Sequence, residues 1–376
     1  MQMVLFLLIF LSLYGGINLY FFRKAKDALH FSGKTEGMII AVLISLVLAP
    51  LIIRLLEKMH WETPARIIAY CGYVWMAFVF LFFFVHLALD ASRIAYRFFD
   101  PDAGGVILKN ILFSLAVLVT LTAVLYGFFD ARKIRVQTLE IQTDKTLPQP
   151  GKIRIVQISD VHIGLLIRGR RLQTILDRVR EAQPDILIST GDLLDGELDN
   201  VMSEARQLAG IKPLYGKYAV TGNHEFYAGI EKSLEFTRQA GFEILRDEST
   251  KAAGLHIIGL DDPTGRKMDL SGKSADLSGL FPDKNSKEFV LLLKHQPTIR
   301  EDKNFDLQLS GHTHGGQIFP FMLMTRIFFP ENFGYHQLNG HQSVYISKGA
   351  GTWGPPIRLF APPEITVINL KNKSVI

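Results

Sequence analysis

Four apolar runs crowd into the first third of this sequence, at roughly residues 1–22, 38–56, 67–89 and 111–129. Each is close to the ~20 residues that a helix needs to cross a bilayer. A soluble core can bury one such helix, but four in so short a stretch argue against that reading. No basic segment precedes the first run and no small-residue cleavage site follows it. It therefore reads as a retained helix, not a removed signal peptide.

Charge separates this third from the rest. Of the chain's 41 Lys/Arg and 36 Asp/Glu, 13 and 8 fall in residues 1–135, which leaves 28 of each in the remainder. The basic excess is confined to the apolar third, so it does not describe a nucleic-acid face, and no nucleic-acid partner is expected. Basic residues between apolar runs act instead as topology signals. Nothing basic precedes the first run, whereas Arg23, Lys24, Lys26 and Lys34 follow it. That asymmetry puts the N-terminus outside the cytoplasm. With four spans, the C-terminal domain lies outside too. Later loops are nearer balance, with Arg54, Lys58 and Arg66 outside against Arg93, Arg97 and Lys109 inside. Arg132, Lys133 and Arg135 also follow the last span on the outside. The single cysteine, Cys71, rules out a disulfide framework and a thiolate metal site. It reads as a small buried hydrophobe.

The expected organisation is a multi-pass membrane region of about four helices at 1–131, a polar linker at 132–151, and a folded domain at 152–376. In that domain the pattern turns to strands alternating with helices. "KIRIVQIS" (152–159), "DILIST" (185–190) and "KYAVT" (217–221) read as strands. In 171–183, Leu172, Ile175, Leu176 and Val179 fall on one helix face. A second helix at 230–241 ends on glycine. Five more strands follow, which makes an α/β domain with a large buried sheet.

Five apolar strands each run into a metal-capable or acid/base residue. "IVQIS" leads to Asp160 and His162, "ILIST" to Asp192 and Asp195, "YAVT" to Asn223, His224 and Glu225, "VLLLK" to His295, and "LQLS" to His312 and His314. Loops at the carboxyl ends of strands converge on one ligand site in such sheets, so these residues can meet. Carboxylates, imidazoles and an amide suit Mn, Fe or Zn and argue against an all-oxygen calcium site. There are too many for one tetrahedral ion, but two ions ~3.5–4 Å apart with a bridging carboxylate would use them all. Side chains alternate along an extended chain, so the His312-Thr313-His314 pair should present both rings on one side, to one ion or to two. Gly311, Gly315 and Gly316 around the pair remove bulk and allow unusual backbone angles. Singly, each motif has a plain reading as a loop, a turn, a helix cap or a core histidine. Their order, each after a strand, is what carries the inference.

That ordered set, "SDVHIG", "GDLLDG", "GNHE", "KHQP" and "SGHTHGGQ", resembles the calcineurin-like metallophosphoesterase family over roughly residues 153–350. The rest, including "SKGAGTWGPPIRLFAPPEI", resembles a bacterial membrane-anchored branch of it. The resemblance implies a two-layer β-sandwich flanked by helices and a dinuclear centre. It implies that Asp160, His162, Asp192 and His314 hold one ion, and that Asp192, Asn223, His295 and His312 hold the other. It implies that His224 contacts phosphate and protonates the leaving oxygen. The protein Ser/Thr phosphatase branch carries Asp-Arg-Gly where this chain reads Asp195-Gly196-Glu197. The phosphate-binding arginine is missing, which argues against phosphoprotein substrates. Asp195 either orients a neighbour or caps a turn.

The expected activity is hydrolysis of a phosphate mono- or diester by metal-activated hydroxide, with lipid-linked esters among the candidate substrates. The segment "IFPFMLMTRIFFPENFGYH" (318–336) reads either as a greasy rim that meets lipid or as ordinary packing. Trp353 and Arg358 either border the pocket or pack. No other substrate-binding residue is legible. The alternative from another class is a non-catalytic membrane protein whose domain binds metal for structure or sensing. Against it, every ligand and the general acid are retained. A channel or transporter is disfavoured because the apolar runs are nearly free of charge.

Overall fold

The computed structural model describes residues 2–373 except 97, 100–105, 149–150, 197–200, 271–276, 278, 284–285 and 300–303. Of the residues named above, Met1, Arg97, Glu197 and Ile376 lie outside the described set. The chain divides into two compact units: Met1–Phe129 with Gly354–Leu359, and Asp130–Trp353 with Phe360–Ile376.

The first unit is built on helices α1 (Gln2–Leu29), α2 (Lys34–Val47), α3 (Ala49–Lys58), α4 (Glu62–Tyr96) and α5 (Val106–Asp130). In place of the four spans read from the sequence, the described residues hold two helices long and apolar enough to cross a bilayer, Glu62–Tyr96 and Leu108–Asp130. The number becomes three if α2 and α3, bent by 54°, are one broken span. The cause of that break is Pro50 in the first turn of α3. It has no N–H to continue the hydrogen-bond ladder of α2, so a new helix starts there. Helix α1 carries the first apolar run, and several side chains of its first turns are outside the described set.

Small residues and aromatics pack these helices. A Cβ added to Gly72 of α4 would sit 2.6 Å from the Cβ of Ala49 on α3, the close approach that small residues permit between helices in lipid. Phe21 of α1 meets Phe82 of α4 and Phe113 of α5, with centroids 5.0 and 6.2 Å away. A polar group also joins α1 to α4: Tyr20 Oη lies 3.1 Å from His86 Nδ1, and Lys24 Nζ 2.5 Å from Asp90. Cys71 is exposed on α4, not buried as its type suggested. The Gly354–Leu359 loop lies against α5, where the Arg358 N–H donates to Gly127 O at 3.0 Å. A Cβ at Gly127 would come within 2.5 Å of Ile357 Cγ2, so only glycine fits. Ile357 and Arg358 are both fully buried.

The second unit runs, in chain order, β1 (Arg135–Thr143), β2 (Lys152–Ile158), β3 (Ile163–Gly164), α6 (Arg170–Glu181), β4 (Ile186–Ser189), β5 (Leu194–Asp195), α7 (Met202–Ala209), β6 (Lys217–Ala219), α8 (Asn223–Tyr227), α9 (Ile230–Gln239), β7 (Glu243–Ile244), β8 (Glu248–Ala252), β9 (Leu255–Gly259), α10 (Pro263–Lys267), β10 (Phe289–Leu293), β11 (Leu307–Ser310), α11 (Phe321–Phe328), β12 (Gly334–Gln337), β13 (Ser343–Ile346) and β14 (Glu364–Asn372). Two six-stranded sheets form, in the orders β1-β14-β2-β4-β6-β7 and β12-β13-β11-β10-β9-β8, and β3 pairs with β5. Residues 135–143, inside the stretch expected as linker, are thus a strand. It pairs in parallel with β14 from Arg135↔Glu364 to Thr143↔Asn372.

Alternation along the strands explains the layers. Ile153, Ile155, Ile186 and Ile188 from one sheet and Ile257, Leu291, Leu293 and Leu309 from the other share one core. Val156, Ile158 and Leu187 point the opposite way, toward Leu172, Ile175, Leu176 and Val179 of α6 and Phe236 of α9. The domain is the expected two-layer sandwich flanked by helices. The parallel strands β2, β4 and β6 of one sheet and β10 and β11 of the other end beside one another, which positions the site.

Candidate metal centre

The loops after β2, β4, β6, β10 and β11 bring Asp160, His162, Asp192, His295, His312 and His314 into one cluster with His224, and Asn223 directly precedes His224 at the start of α8. Three sets of ligand atoms lie within 4.8 Å of one another: Asp160, His162 and His314; His162, Asp192 and His224; and Asp192, His295 and His312. His162 and Asp192 are each shared by two sets, so the groups are contiguous. His162 Nε2 and His314 Nε2 are 3.0 Å apart, and His295 Nε2 and His312 Nδ1 are 3.2 Å apart. Asp192 Oδ2 is 3.1 Å from His295 Nε2 and 3.9 Å from His162 Nε2. Asp160 Oδ1 is 3.4 Å from His314 Nε2.

The two histidines of the His-x-His pair do not act side by side. His312 turns to His295 and His314 to His162, because neither residue is extended: φ is +73° at His312 and +52° at His314, which opens a 3-10 turn, His314–Gly316. Asp160, His162 and Asp192 also have φ between +50° and +53°. Left-handed backbone costs a non-glycine residue of order 1–3 kcal/mol and persists only where its surroundings fix it. Here they do. Asp160 accepts the His312 N–H at 3.0 Å and Asp192 accepts the His224 N–H at 2.9 Å. Glycine makes the first of these contacts possible. A Cβ on Gly311 would lie 1.9 Å from Ser159 Oγ and 2.2 Å from Asp160 Oδ2.

Two further groups set the geometry. His295 Nδ1 is 2.8 Å from Thr190 O, so the ring donates there and turns Nε2 toward Asp192 and His312. Glu225 is buried and accepts four backbone N–H groups, from Asp192, Leu193, Leu194 and Gly222, at 2.6–3.3 Å. It ties the Asp192 loop to the start of α8. The sequence reading gave Glu225 no role. Its signal was its place three residues past Gly222, the capping position of α8.

Asp195, left open between two readings, lies with Oδ1 3.0 Å from His224 Nδ1. It therefore orients the ring. Burial disfavours the charged form of His224, but Asp192 and Asp195 outweigh it and raise the pKa to about 9. Burial, reinforced by His224, drives His162 down to about 4. Burial, reinforced by His295, drives His312 down to about 3. These two rings are neutral near pH 7, the form that ligates metal. Asn223 supplies an independent indication, since its buried Oδ1 has no hydrogen-bond partner. A buried unpaired carbonyl oxygen beside carboxylates and paired imidazole nitrogens fits a cation.

Aromatics surround the cluster. The Trp353 ring lies 5.8 Å from His224, so Trp353 borders the site, and Phe329 lies 5.3 Å from His312. Arg358 falls in the other unit. Helix α11 has no buried residue, although Ile318 before it and Asn332 after it are buried. Phe321, Leu323, Met324, Ile327 and Phe328 are all exposed, and Phe328 is 74% exposed.

Comparison with known proteins agrees with this geometry. Residues 153–316 match the family model for calcineurin-like phosphoesterases. An uncharacterized metallophosphoesterase of Aquifex aeolicus is 38% identical over 66% of this chain and 96% of its own length. Another, of Campylobacter jejuni, is 28% identical over 99% of this chain and all of its own. A transmembrane protein with metallophosphoesterase domain of Danio rerio is 30% identical over 83% of this chain and 74% of its own. With this site and these relatives, the chain belongs to the calcineurin-like phosphoesterase family.

Proposed function

We propose that the protein is a membrane-anchored phosphoesterase that uses two divalent cations to hydrolyse a phosphate mono- or diester. The observation that carries this reading is the buried cluster in which Asp192 is shared between ligand sets and Asn223 Oδ1 is orphaned. Asp160, His162, Asp192 and His314 would hold one cation, and Asp192, Asn223, His295 and His312 the other. Such ions, when bound, supply a hydroxide near neutral pH and neutralise phosphoryl charge. The chain's own groups do the rest. His224, charged at neutral pH and aligned by Asp195, donates its proton to the departing oxygen. Glu225 and the Thr190 carbonyl keep Asp192 and His295 in position.

The helices Glu62–Tyr96 and Leu108–Asp130 support the anchor, as does the description of the Danio rerio relative as a transmembrane protein. We place the catalytic unit outside the cytoplasm on the basic residues after the first apolar run, a placement that requires an even number of spans. A C-terminal reporter active only inside the cell would overturn that placement by lighting up. The exposed apolar helix α11, which follows the His314 turn, supports a membrane-borne substrate. The test of the main reading is hydrolysis by the purified full chain of mono- and diester chromogenic substrates with Mn²⁺, Fe²⁺ or Zn²⁺. Activity should vanish with a chelator and return with metal. Undiminished activity in the chelator would defeat it.

A further inference from the structure

We infer that Trp353 is a built platform for the leaving group, and that the site prefers esters whose leaving group carries a flat ring. The inference rests on the phosphoesterase reading and adds which part of the substrate is read, and by what.

Trp353 is 52% exposed, so its indole is not packed away in a core. Its backbone is nevertheless held at two ends. Gln317 grips it on one side: the Gln317 Nε2–H donates to Trp353 O and the Trp353 N–H donates to Gln317 Oε1, both at 2.9 Å. Gln317 itself follows directly on the His314–Gly316 turn, at φ +54°. The other end is tied to the first ligand loop, where the Ala350 N–H donates to Ser159 O and the Gly351 N–H to Asp160 O, both at 2.9 Å. That approach is so close that a Cβ on Gly351 would lie 2.1 Å from Val161 O. An exposed indole is thus registered to the loops that carry Asp160 and His314.

Its position matters because of what it faces. The Trp353 ring lies edge-on to His224, at 5.8 Å and 74°. Tyr227, also more than half exposed, approaches the same imidazole at 5.6 Å. If His224 protonates the departing oxygen, whatever is bonded to that oxygen must pass beside these rings. Fixing a half-exposed tryptophan by two hydrogen bonds at its own backbone, with two more just before it at Ala350 and Gly351, does not bury the exposed ring face. It does present a pre-ordered π surface to a ring on the substrate, which needs no ordering when the ligand arrives.

The test uses the full chain loaded with Mn²⁺ and separates binding from turnover. Affinities for phenylphosphonate and a branched alkylphosphonate of similar size, both inert to hydrolysis, are compared by calorimetry in wild type, Trp353→Ala, Trp353→Phe and Gln317→Ala. Wild type should prefer the phenyl compound. Trp353→Ala should lose about tenfold of that preference, the scale of one aromatic stacking contact. Trp353→Phe should keep most of it, and Gln317→Ala should fall between. Metal content should be unchanged in all four. The same ratios should appear in kcat/KM for a phenyl and a fluorinated alkyl ester with leaving alcohols of matched acidity. Equal affinity of wild type for both phosphonates, no phosphonate binding at all, or an equal loss for both in Trp353→Ala would overturn the platform. A chain that binds phosphonates with the expected preference but hydrolyses no ester would defeat the phosphoesterase reading and leave the platform standing.

Discussion

The helical unit and the sandwich unit place their polar and apolar residues by opposite rules. In the helices, Leu118, Leu125 and Ile44 are each more than half exposed, while Asn18, His86 and Thr120 are buried. In the sandwich, Ile153, Leu291 and Leu293 are buried, as any water-soluble core requires. Yet the sandwich also buries Asp160, Asp192, His162 and His295 almost completely. The two kinds of buried polar residue differ in how they are satisfied. In the helices Asn18 accepts from Trp75 Nε1 at 2.8 Å, and His86 sits against Tyr20 Oη. In the sandwich the side chains converge with lone pairs facing one another, an arrangement that protein donors alone leave incomplete. Burial of a polar group is therefore uninformative by itself. Thr120 Oγ1 and Asn110 Oδ1 in the helices are also buried without a partner, so what distinguishes the site is the convergence of many ligand atoms within 4.8 Å.

The strongest test of that contrast removes a shared ligand. Asp192→Asn or His312→Ala should abolish bound metal and bring hydrolysis to background, a larger effect than the ~10–100-fold typical of groups that only support a ligand. Metal analysis beside activity checks it, and full metal content with full activity would refute the assignment. Next is His224→Ala, which should cost ~10²–10⁴-fold on alkyl esters and much less on nitrophenyl esters, whose leaving group needs no proton. An equal loss on both would make His224 a binding group. The helical side of the contrast is probed by Leu118→Lys, which puts a charge at mid-helix on α5. It should disfavour insertion by ~2.5–3.5 kcal/mol, read as the integrated fraction in a translocon assay. A charge reversal at exposed Arg178 on α6 should stay within ~0.5 kcal/mol in a melt. If Leu118→Lys is equally silent, that helix face does not meet lipid. A smaller effect on turnover is expected from Phe321, Leu323 and Phe328 all changed to serine on α11. Turnover of a lipid phosphate in vesicles should fall several-fold while a small soluble ester is unaffected, since each exposed CH₂ is worth ~0.8 kcal/mol at most. Equal turnover of the lipid would remove the support for a membrane-borne substrate.

The strands that carry the site were readable because each is a short, mostly apolar buried run that ends in a polar cluster. β1 was not. Its sequence, "RVQTLEIQT", is mostly exposed at the sheet edge, where no apolar stripe is needed, so it looked like linker. The break in the second apolar run has a local cause, the proline at position 50. The positive φ values at Asp160, His162, Asp192, His312 and His314 were also invisible, because residue type points away from left-handed backbone there. That is why His312 and His314 turn to different partners, His295 and His162, where an extended chain would set both rings on one side. Glu225 and Gln317 act through hydrogen bonds to distant backbone, and no spacing rule announces such bonds.

The Gly354–Leu359 loop bears on how the protein can be cut. Expression of a soluble half normally assumes that the chain leaves its anchor once and never returns. Here six residues near the C-terminus belong with the helices, and Ile357 and Arg358 are buried there. A fragment beginning at residue 140 would lose the partners of that loop. It would also remove the first five of the nine residues that pair β1 with β14. The loop begins one residue after Trp353, so the damage would fall beside the catalytic cluster. Poor yield or weak activity from such a truncation would report the position of the scissors, not the competence of the enzyme.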